Sequence, residues 1–433
     1  MWGVLFSMDR IYTIFRQGAR VTIDSRQVRK GDLFFALRGE NLDGNAYAAQ
    51  ALEAGAALAI CDNLSLAPDH PACLVVEDSL KALQDLAVRY REDLTIPVLG
   101  ITGSNGKTTT KELVTQVLSQ KYRVTATQGN LNNHIGVPLT LLSIPSDAEI
   151  AIVEMGANHP GEIRELCSLA RPTAGLITNI GKAHLGGFGG FGGVVQAKSE
   201  LYASLRGNMG TVFVHAGDPL LMRLSEGMRR ELYGPGTQID ARLAGAGLTL
   251  SMEFLGNGAE SGHIDTQLSG SYNLPNLLAA AAIGRHFDVP WALIAHALSS
   301  YAPKNNRSEI RKSASNTLIL DAYNANPSSM EASLLHFSAL GGDHKWAILG
   351  DMLELGEEAE DEHRRILELA LSMELERLVL VGPVFSRVAD ARDAVFADTR
   401  SCRAWLKEHA PSEALVLLKG SRGIHLEDLL DLM

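Results

Sequence analysis

The stretch IPVLGITGSNGKTTTKELVTQVLSQ, residues Ile96–Gln120, decides how the chain is read. Ile96 to Ile101 is an apolar run of strand length. Glycines stand at Gly100, Gly103 and Gly106, followed by Lys107 and three threonines. Beyond them Leu113, Val114, Val117 and Leu118 recur at the spacing of one helix face. Strand, glycine-rich turn and helix, in that order, are the setting of a phosphate-binding loop. Glycines let backbone N–H groups close on an oxyanion, and the helix N-terminus adds a favourable dipole. Gly103, Ser104, Asn105, Gly106, Lys107, Thr108 and Thr109 are therefore candidate nucleotide contacts. Lys107 would reach the β- and γ-phosphates, and the Thr108 hydroxyl would ligate Mg²⁺. The common G-x-x-x-x-G-K-[ST] pattern wants glycine at position 101, where this chain has Ile101.

At 433 residues the chain is too long for one ordinary core, so two or three domains are expected. Its 46% hydrophobic and 21% charged residues describe a globular protein. A net charge of −11 disfavours a partner as acidic as nucleic acid. Cys61, Cys73, Cys167 and Cys402 form no C-x-x-C pair and read as incidental thiols of a reducing compartment. The opening MWGVLFSM lacks a basic leader and is too short to span a membrane. It reads as an untidy start, with Met8 the alternative first residue, in a cytoplasmic protein without membrane insertion.

Three blocks follow along the chain, with boundaries at 1–96, 97–303 and 304–433. The first is a small α/β unit in which Ser25, Arg26, Arg38 and Asn41 flank an apolar strand, as a binding edge or a solvated rim. The second alternates strands and helices, the pattern of a mostly parallel sheet. There Glu154 ends an apolar strand, where a metal-binding carboxylate or a solvated strand end are both admissible. His184 follows another strand, and a lone histidine is more often structural than a ligand. Gly186–Gly193, GGFGGFGG, reads as a flexible loop, and Lys198 after it as a surface lysine. Asn273 and Asn276 open an alanine-rich helix, where asparagine caps the helix or meets a base edge. The third block repeats strand and helix, with polar loops at the strand exits carrying Asp321, Asn324, Asn326, Lys419 and Arg422.

With these residues in view, the chain resembles the Mur ligase family over nearly its whole length from about Met8. The family's loop T-G-[ST]-N-G-K-T-[ST] is met by Thr102–Thr109, which accounts for the displaced glycine. Further matches are IDSRQVRKGDLFFALRGENLDG, GNLNNHIGVPLTLL, VEMGANHPGEI, NIGKAHL, YNLPN, NNR, DAYNANPSSM, LGDMLELG and KGSRG. The resemblance implies an α/β protein of three domains: a small N-terminal UDP-substrate domain, a central P-loop ATPase domain and a C-terminal Rossmann-like ligase domain. It implies an ATP-dependent ligase of cytoplasmic peptidoglycan precursor synthesis. The branch most resembled joins D-alanyl-D-alanine to UDP-N-acetylmuramoyl-tripeptide through an acyl phosphate, releasing ADP and phosphate.

By the same resemblance Thr108 and Glu154 hold a first Mg²⁺ and His184 a second. Lys198 matches a lysine carbamylated in sibling ligases. Asn273 and Asn276 meet the adenine, Arg307 the phosphates and Asp321 the ribose. Ser25, Arg26, Arg38 and Asn41 grip the uridine diphosphate. Asn324, Asn326, Lys419 and Arg422 face the dipeptide or the acyl phosphate. The site closes about a hinge near Pro303–Arg307, and the protein is expected to act as a monomer. Two departures stand out. Gly187 and Gly190 replace a Glu and a Ser common in the family, which should loosen that loop, and the segment before D-S-R is short. Among rivals, folylpolyglutamate synthase lacks a uridine-binding domain, and the ligase adding the third peptide residue usually carries a D-N-P-R segment that is absent here. A P-loop switch would leave the third domain without purpose.

Overall fold

The computed structural model describes residues 2–39, 41–245, 247–256, 261–304, 306–390 and 394–433; Met1 and Asn305 of the NNR segment lie outside them. The chain divides into two compact units. One comprises Met1–Gly100, Arg123–Gly156 and Arg164–Thr173; the other comprises Ile101–Tyr122, Ala157–Ile163 and Ala174–Met433. No described helix is long and apolar enough to cross a membrane.

The first unit opens not with an untidy tail but with a helix, Trp2–Arg16. Four short parallel strands follow in chain order: β1 (Val21–Thr22), β2 (Leu33–Phe35), β3 (Leu58–Cys61) and β4 (Cys73–Val75). β2 and β3 are buried along their whole length, which is why LFF and LAIC are unbroken apolar runs rather than alternating ones. Cys61 and Cys73, twelve residues apart in sequence, meet across β3 and β4 with their sulfurs 3.7 Å apart. This unit also holds β6 (Val124–Ala126), β7 (Ile150–Glu154) and the beginning of β5 (Val98–Thr102), in the order β5-β7-β6.

In the second unit the end of β5 is followed by β8 (Ala174–Ile177), β9 (Thr211–His215) and β10 (Arg229–Tyr233), in the order β10-β9-β8-β5. The pairings β8–β9 and β9–β10 are parallel. The helix Lys107–Leu118 buries Leu113, Val114, Val117 and Leu118, the face that its apolar spacing predicts. Strands β11 (Ala241–Leu243), β12 (Ser251–Leu255) and β13 (Ser261–Asp265) form a small antiparallel sheet. The last sheet contains β14 (Glu309–Lys312), β15 (Thr317–Asp321), β16 (Lys345–Gly350), β17 (Arg377–Val381), β18 (Ala394–Phe396) and β19 (Leu415–Lys419). Its order is β14-β15-β19-β16-β17-β18, parallel except for the edge strand β14. Leu318, Leu320, Ile348, Val379, Val416 and Leu418 form its core.

The glycine-rich patch is not the flexible loop its composition suggests. It folds as a short helix, Leu185–Phe188, and the start of a long one, Phe191–Gly207. Nor does Gly187 loosen it. A Cβ there would lie 2.3 Å from the Asn158 carbonyl oxygen, so this glycine allows a close backbone approach. Gly190 has open space around it and a φ of +98°.

A carboxylate just past β3 gathers several donors of the first unit. Asp62, just after β3, accepts from Arg38 Nε (2.9 Å), Asn45 Nδ2 (2.9 Å), the Ser79 N–H (3.2 Å) and Ser79 Oγ (2.9 Å). Burial alone would raise its pKa, but these donors outweigh it and hold the carboxyl below its usual range. A depressed carboxyl contributes stability above its unfolded pKa of about 3.9 and loses it as pH falls through the folded value. Asp62→Asn should therefore cost about 1–3 kcal/mol in urea denaturation at pH 7, since it strands buried donors. The gap to the unaltered protein should narrow below about pH 4. An equal gap at both pH values would refute this.

Candidate active site

The phosphate loop is held open from behind. Asn179, two residues past β8, takes the Asn105 N–H on its Oδ1 (3.1 Å) and gives Nδ2–H to the Asn105 carbonyl (3.0 Å). Thr178 Oγ1 donates to the same carbonyl (2.6 Å), and the Ser104 N–H donates to the Asn179 carbonyl (3.0 Å). The Ser104 hydroxyl is exchanged with Gly181, donating to its carbonyl and accepting its N–H. The backbone can take this path only with glycine at two points. Gly103 has φ +147° and a Cβ there would lie 1.9 Å from Thr178 Oγ1; Gly106 has φ +78° and would meet Asn276 Oδ1 at 2.7 Å. Lys107 Nζ donates back to the carbonyls of Gly103 (2.7 Å) and Ser104 (3.2 Å), arching over the loop. Thr108 and Thr109 lie buried in the first turn of the helix. This glycine cradle with one ammonium group and a buried hydroxyl fits a triphosphate.

Of the candidate metal ligands, Glu154 ends β7 almost wholly buried and accepts from Asn132 Nδ2 (2.8 Å), while its N–H donates to Thr127 Oγ1 (3.0 Å). His184 has φ +52° and sets Nδ1 2.5 Å from Glu354 Oε2, and this partner holds the Glu354 carboxyl below its usual range. A metal-binding histidine commonly gives its second ring nitrogen to a carboxylate, so Nε2 is the atom left for an ion. Among the described residues no three His, Cys, Asp or Glu side chains gather as a metal cage. Mg²⁺ does not ask for one, because phosphate oxygens and waters complete its shell beside one or two protein ligands.

Lys198 is not at the surface. It is 1% exposed inside the helix Phe191–Gly207, with Nζ 3.3 Å from the Ala157 carbonyl and over the Phe188 ring. Burial, helped by the charge of Lys107, pushes its ammonium down to about 7. The amine is thus largely neutral just above neutral pH.

The residues expected at the other end of a nucleotide come together, though not as bare ligands. Asp321 and Lys419 pair at 2.6 Å, with the lysine almost fully buried. Arg307 stacks on the Tyr323 ring at 3.5 Å, and Arg422 stands 5.4 Å from the same ring. Asn273 and Asn276 are buried and bonded to each other (2.9 Å), so their amides serve the protein as well as any base. Asn326 caps the helix Pro327–Ala339 and donates to Asn105 Oδ1 (2.7 Å); Asn324 is exposed and turns on its neighbour's N–H.

In the first unit Arg26 pairs with Asp24 (2.9 Å) and Arg38 with Asp62 (2.9 Å), so both cations already have anionic partners. Ser25 Oγ donates to Gln50 Oε1 (3.2 Å), and Asn41 is exposed. Sequence reasoning passed over Lys182, whose Nζ meets the buried Glu362 at 2.5 Å and whose N–H meets Ser328 Oγ at 3.1 Å. Its position inside N-I-G-K-A-H-L, beside His184, was the available signal.

Three family descriptions match successive parts of the chain: "Mur ligase family, catalytic domain" over residues 19–98, "Mur ligase middle domain" over 101–284 and "Mur ligase, glutamate ligase domain" over 306–422. A Bacillus subtilis protein named UDP-N-acetylmuramoyl-tripeptide–D-alanyl-D-alanine ligase is 36% identical over 94% of this chain and 92% of its own. The crystal structure of MurF from Acinetobacter baumannii superposes with a TM-score of 0.86 at 31% identity, over 95% of this chain and 92% of that one. MurF from Thermotoga maritima, solved in complex with ADP, gives 0.84 at 26% identity over 97% of each chain. With three successive family models matched and a relative this similar along nearly its full length, the chain belongs to the Mur ligase family.

Proposed function

We propose that the chain is the ligase that joins D-alanyl-D-alanine to UDP-N-acetylmuramoyl-tripeptide, consuming ATP and releasing ADP and phosphate, as a cytoplasmic monomer. The observation that carries this reading is the 36% identity over nearly the whole of both chains with a relative of that name. Residues 1–96 would bind the UDP substrate, 97–303 the ATP, and 304–433 would complete the ligase site.

The chemistry has to solve a specific difficulty. A carboxylate is a poor electrophile, and its oxygen leaves badly. Transfer of the γ-phosphoryl to that oxygen gives an acyl phosphate, which the neutral amine of the dipeptide then attacks, expelling phosphate. Two anions must first approach one another, so cations and N–H groups would have to screen them where they meet. Lys107, the loop amides and Arg307 would hold the triphosphate, and Asp321 the ribose. Mg²⁺, held by Thr108 and Glu154 with a second ion at His184, would neutralise the phosphate charge. Asn324, Asn326, Lys419 and Arg422 would orient the incoming dipeptide and the acyl group.

A buried, neutral Lys198 amine is suited to taking up CO₂, its nitrogen bonding the carbon and releasing a proton to leave a carbamate anion. The anion so formed would support a metal ion beside it.

Purified protein with ATP, Mg²⁺ and UDP-N-acetylmuramoyl-tripeptide should release phosphate only when D-Ala-D-Ala is added; release without it, or with folate substrates, would refute the reading. Lys107→Ala should lower turnover at least about a hundredfold while the UDP substrate still binds, as titration calorimetry would measure. For Lys198, activity should depend on dissolved CO₂ and fall as pH drops through about 7, where the amine becomes protonated. A ¹³C-carbamate signal should appear with labelled bicarbonate and vanish in Lys198→Ala; its absence from the unaltered protein would exclude the modification.

A further inference from the structure

Between the phosphate loop and the Asp321–Lys419 pair runs an unbroken line of hydrogen bonds. Thr110, one turn into the loop's helix and fully buried, donates its hydroxyl to Asn276 Oδ1 (3.1 Å). Asn276 Nδ2 donates to Asn273 Oδ1 (2.9 Å), and Asn273 Nδ2 donates to Ser308 Oγ (3.0 Å). The Ser308 hydroxyl lies 3.2 Å from the Tyr272 hydroxyl, which stands 3.5 Å from Asp321 Oδ2. Lys419 closes the line on the same carboxylate oxygen.

The donors all run one way. An amide has its hydrogens only on nitrogen, so once Thr110 gives its proton to Asn276 the sense of each later bond is set as far as Ser308. Ser308, with its oxygen accepting from Asn273, has its own hydrogen left for Tyr272. Tyr272 in turn has its hydrogen left for Asp321. Burial, and then the charge of Asp321, raise the Tyr272 pKa, so this hydroxyl keeps its proton at any physiological pH. A line of aligned donors ending on an anion polarises each member and stiffens the whole.

Ser308 is the weak place in the line and its most informative one. It has φ +50°, as Asn306 two residues before it has φ +55°, and it is buried. A serine has no need of the left-handed region for its own sake. Its backbone is held there by the Ser269 N–H donating to its carbonyl (3.2 Å). Seven residues earlier, Tyr301 donates to Glu112 of the loop's helix (2.5 Å). Residues 301–308 are thus tied at one end to Glu112 of the loop's helix and at the other to Ser269 and Asn273.

We propose that Ser308 and Tyr272 are positioning residues that set the span between the phosphate loop and Asp321, and so the affinity for a nucleoside diphosphate or triphosphate bridging the two. The inference rests on the reading of those two ends as one nucleotide site. Neither residue touches the nucleotide in this assignment; both act through Asn273 and Asp321.

The test uses the full chain and titration calorimetry with Mg²⁺ and ADP, alongside the UDP substrate and a thermal melt. Tyr272→Phe keeps the ring and deletes the hydroxyl. Ser308→Gly deletes the hydroxyl and suits the positive φ, so it should fold. Each single change should raise the Kd for ADP roughly tenfold, while the Kd for the UDP substrate stays within about twofold. Because both cut the same line, the double variant should be no weaker than the worse single. Unchanged ADP affinity in both singles overturns the proposal, as do additive losses. ADP and UDP-substrate affinities falling together with Tm would also overturn it, since that is general loosening. Wild-type protein that binds no ADP would sink the nucleotide-site reading itself, whereas normal wild-type binding with unaffected variants sinks only this inference.

Discussion

One side-chain amide imitating a peptide unit underlies the site. Asn179 accepts from and donates to the backbone of Asn105, much as a neighbouring strand would, and Thr178 reinforces it. These bonds fix the path of the loop through Ser104 and Asn105. The glycines at 103 and 106 are the sterically required counterpart, because the supporting side chains press directly on them. The shape of the loop is therefore a property of the residues leaving β8, the strand beside β5, as much as of the loop.

The loop carrying that support continues into a second role. Lys182 and His184 reach Glu362 and Glu354 on the last α/β domain, and Asn105 exchanges hydrogen bonds with Asn326 at the start of a helix there. The Lys182–Glu362 pair has a carboxylate that is nearly buried, so salt screens it less than it would an exposed pair. Glu362 is pushed up by burial but brought below its usual range by Lys182 and Arg365. The same few residues thus line the phosphate loop and join it to the domain bearing Asp321.

Many of the buried parallel strands were legible as short unbroken apolar runs, the small antiparallel sheet β11–β13 was not, and Thr102–Thr109 announced the phosphate loop outright. Side-chain surroundings were less legible. A-K-S-E-L-Y says helix, but nothing in it says that Lys198 points into the protein. The glycine patch has the composition of a flexible segment, and only the carbonyl of Asn158 against Gly187 explains its packed helices. Arg26 and Arg38 looked like anion ligands because their partners Asp24 and Asp62 could be assigned only once the turns were folded. Cys61 and Cys73 seemed scattered until parallel pairing set them side by side.

The arrangement of the final sheet has a bearing on how the chain acquires its shape. β19 lies between β15 and β16, so the strand nearest the centre is the last one in sequence. Until residues 415–419 are made, β15 and β16 lack the neighbour that joins them, and their apolar edges stay open. Sequential pairing such as β1 to β4 can be completed during synthesis, whereas this region has to await a long-range insertion, the slow and aggregation-exposed kind of step. Lys419, arriving on that same strand, meets Asp321 only when the insertion is complete.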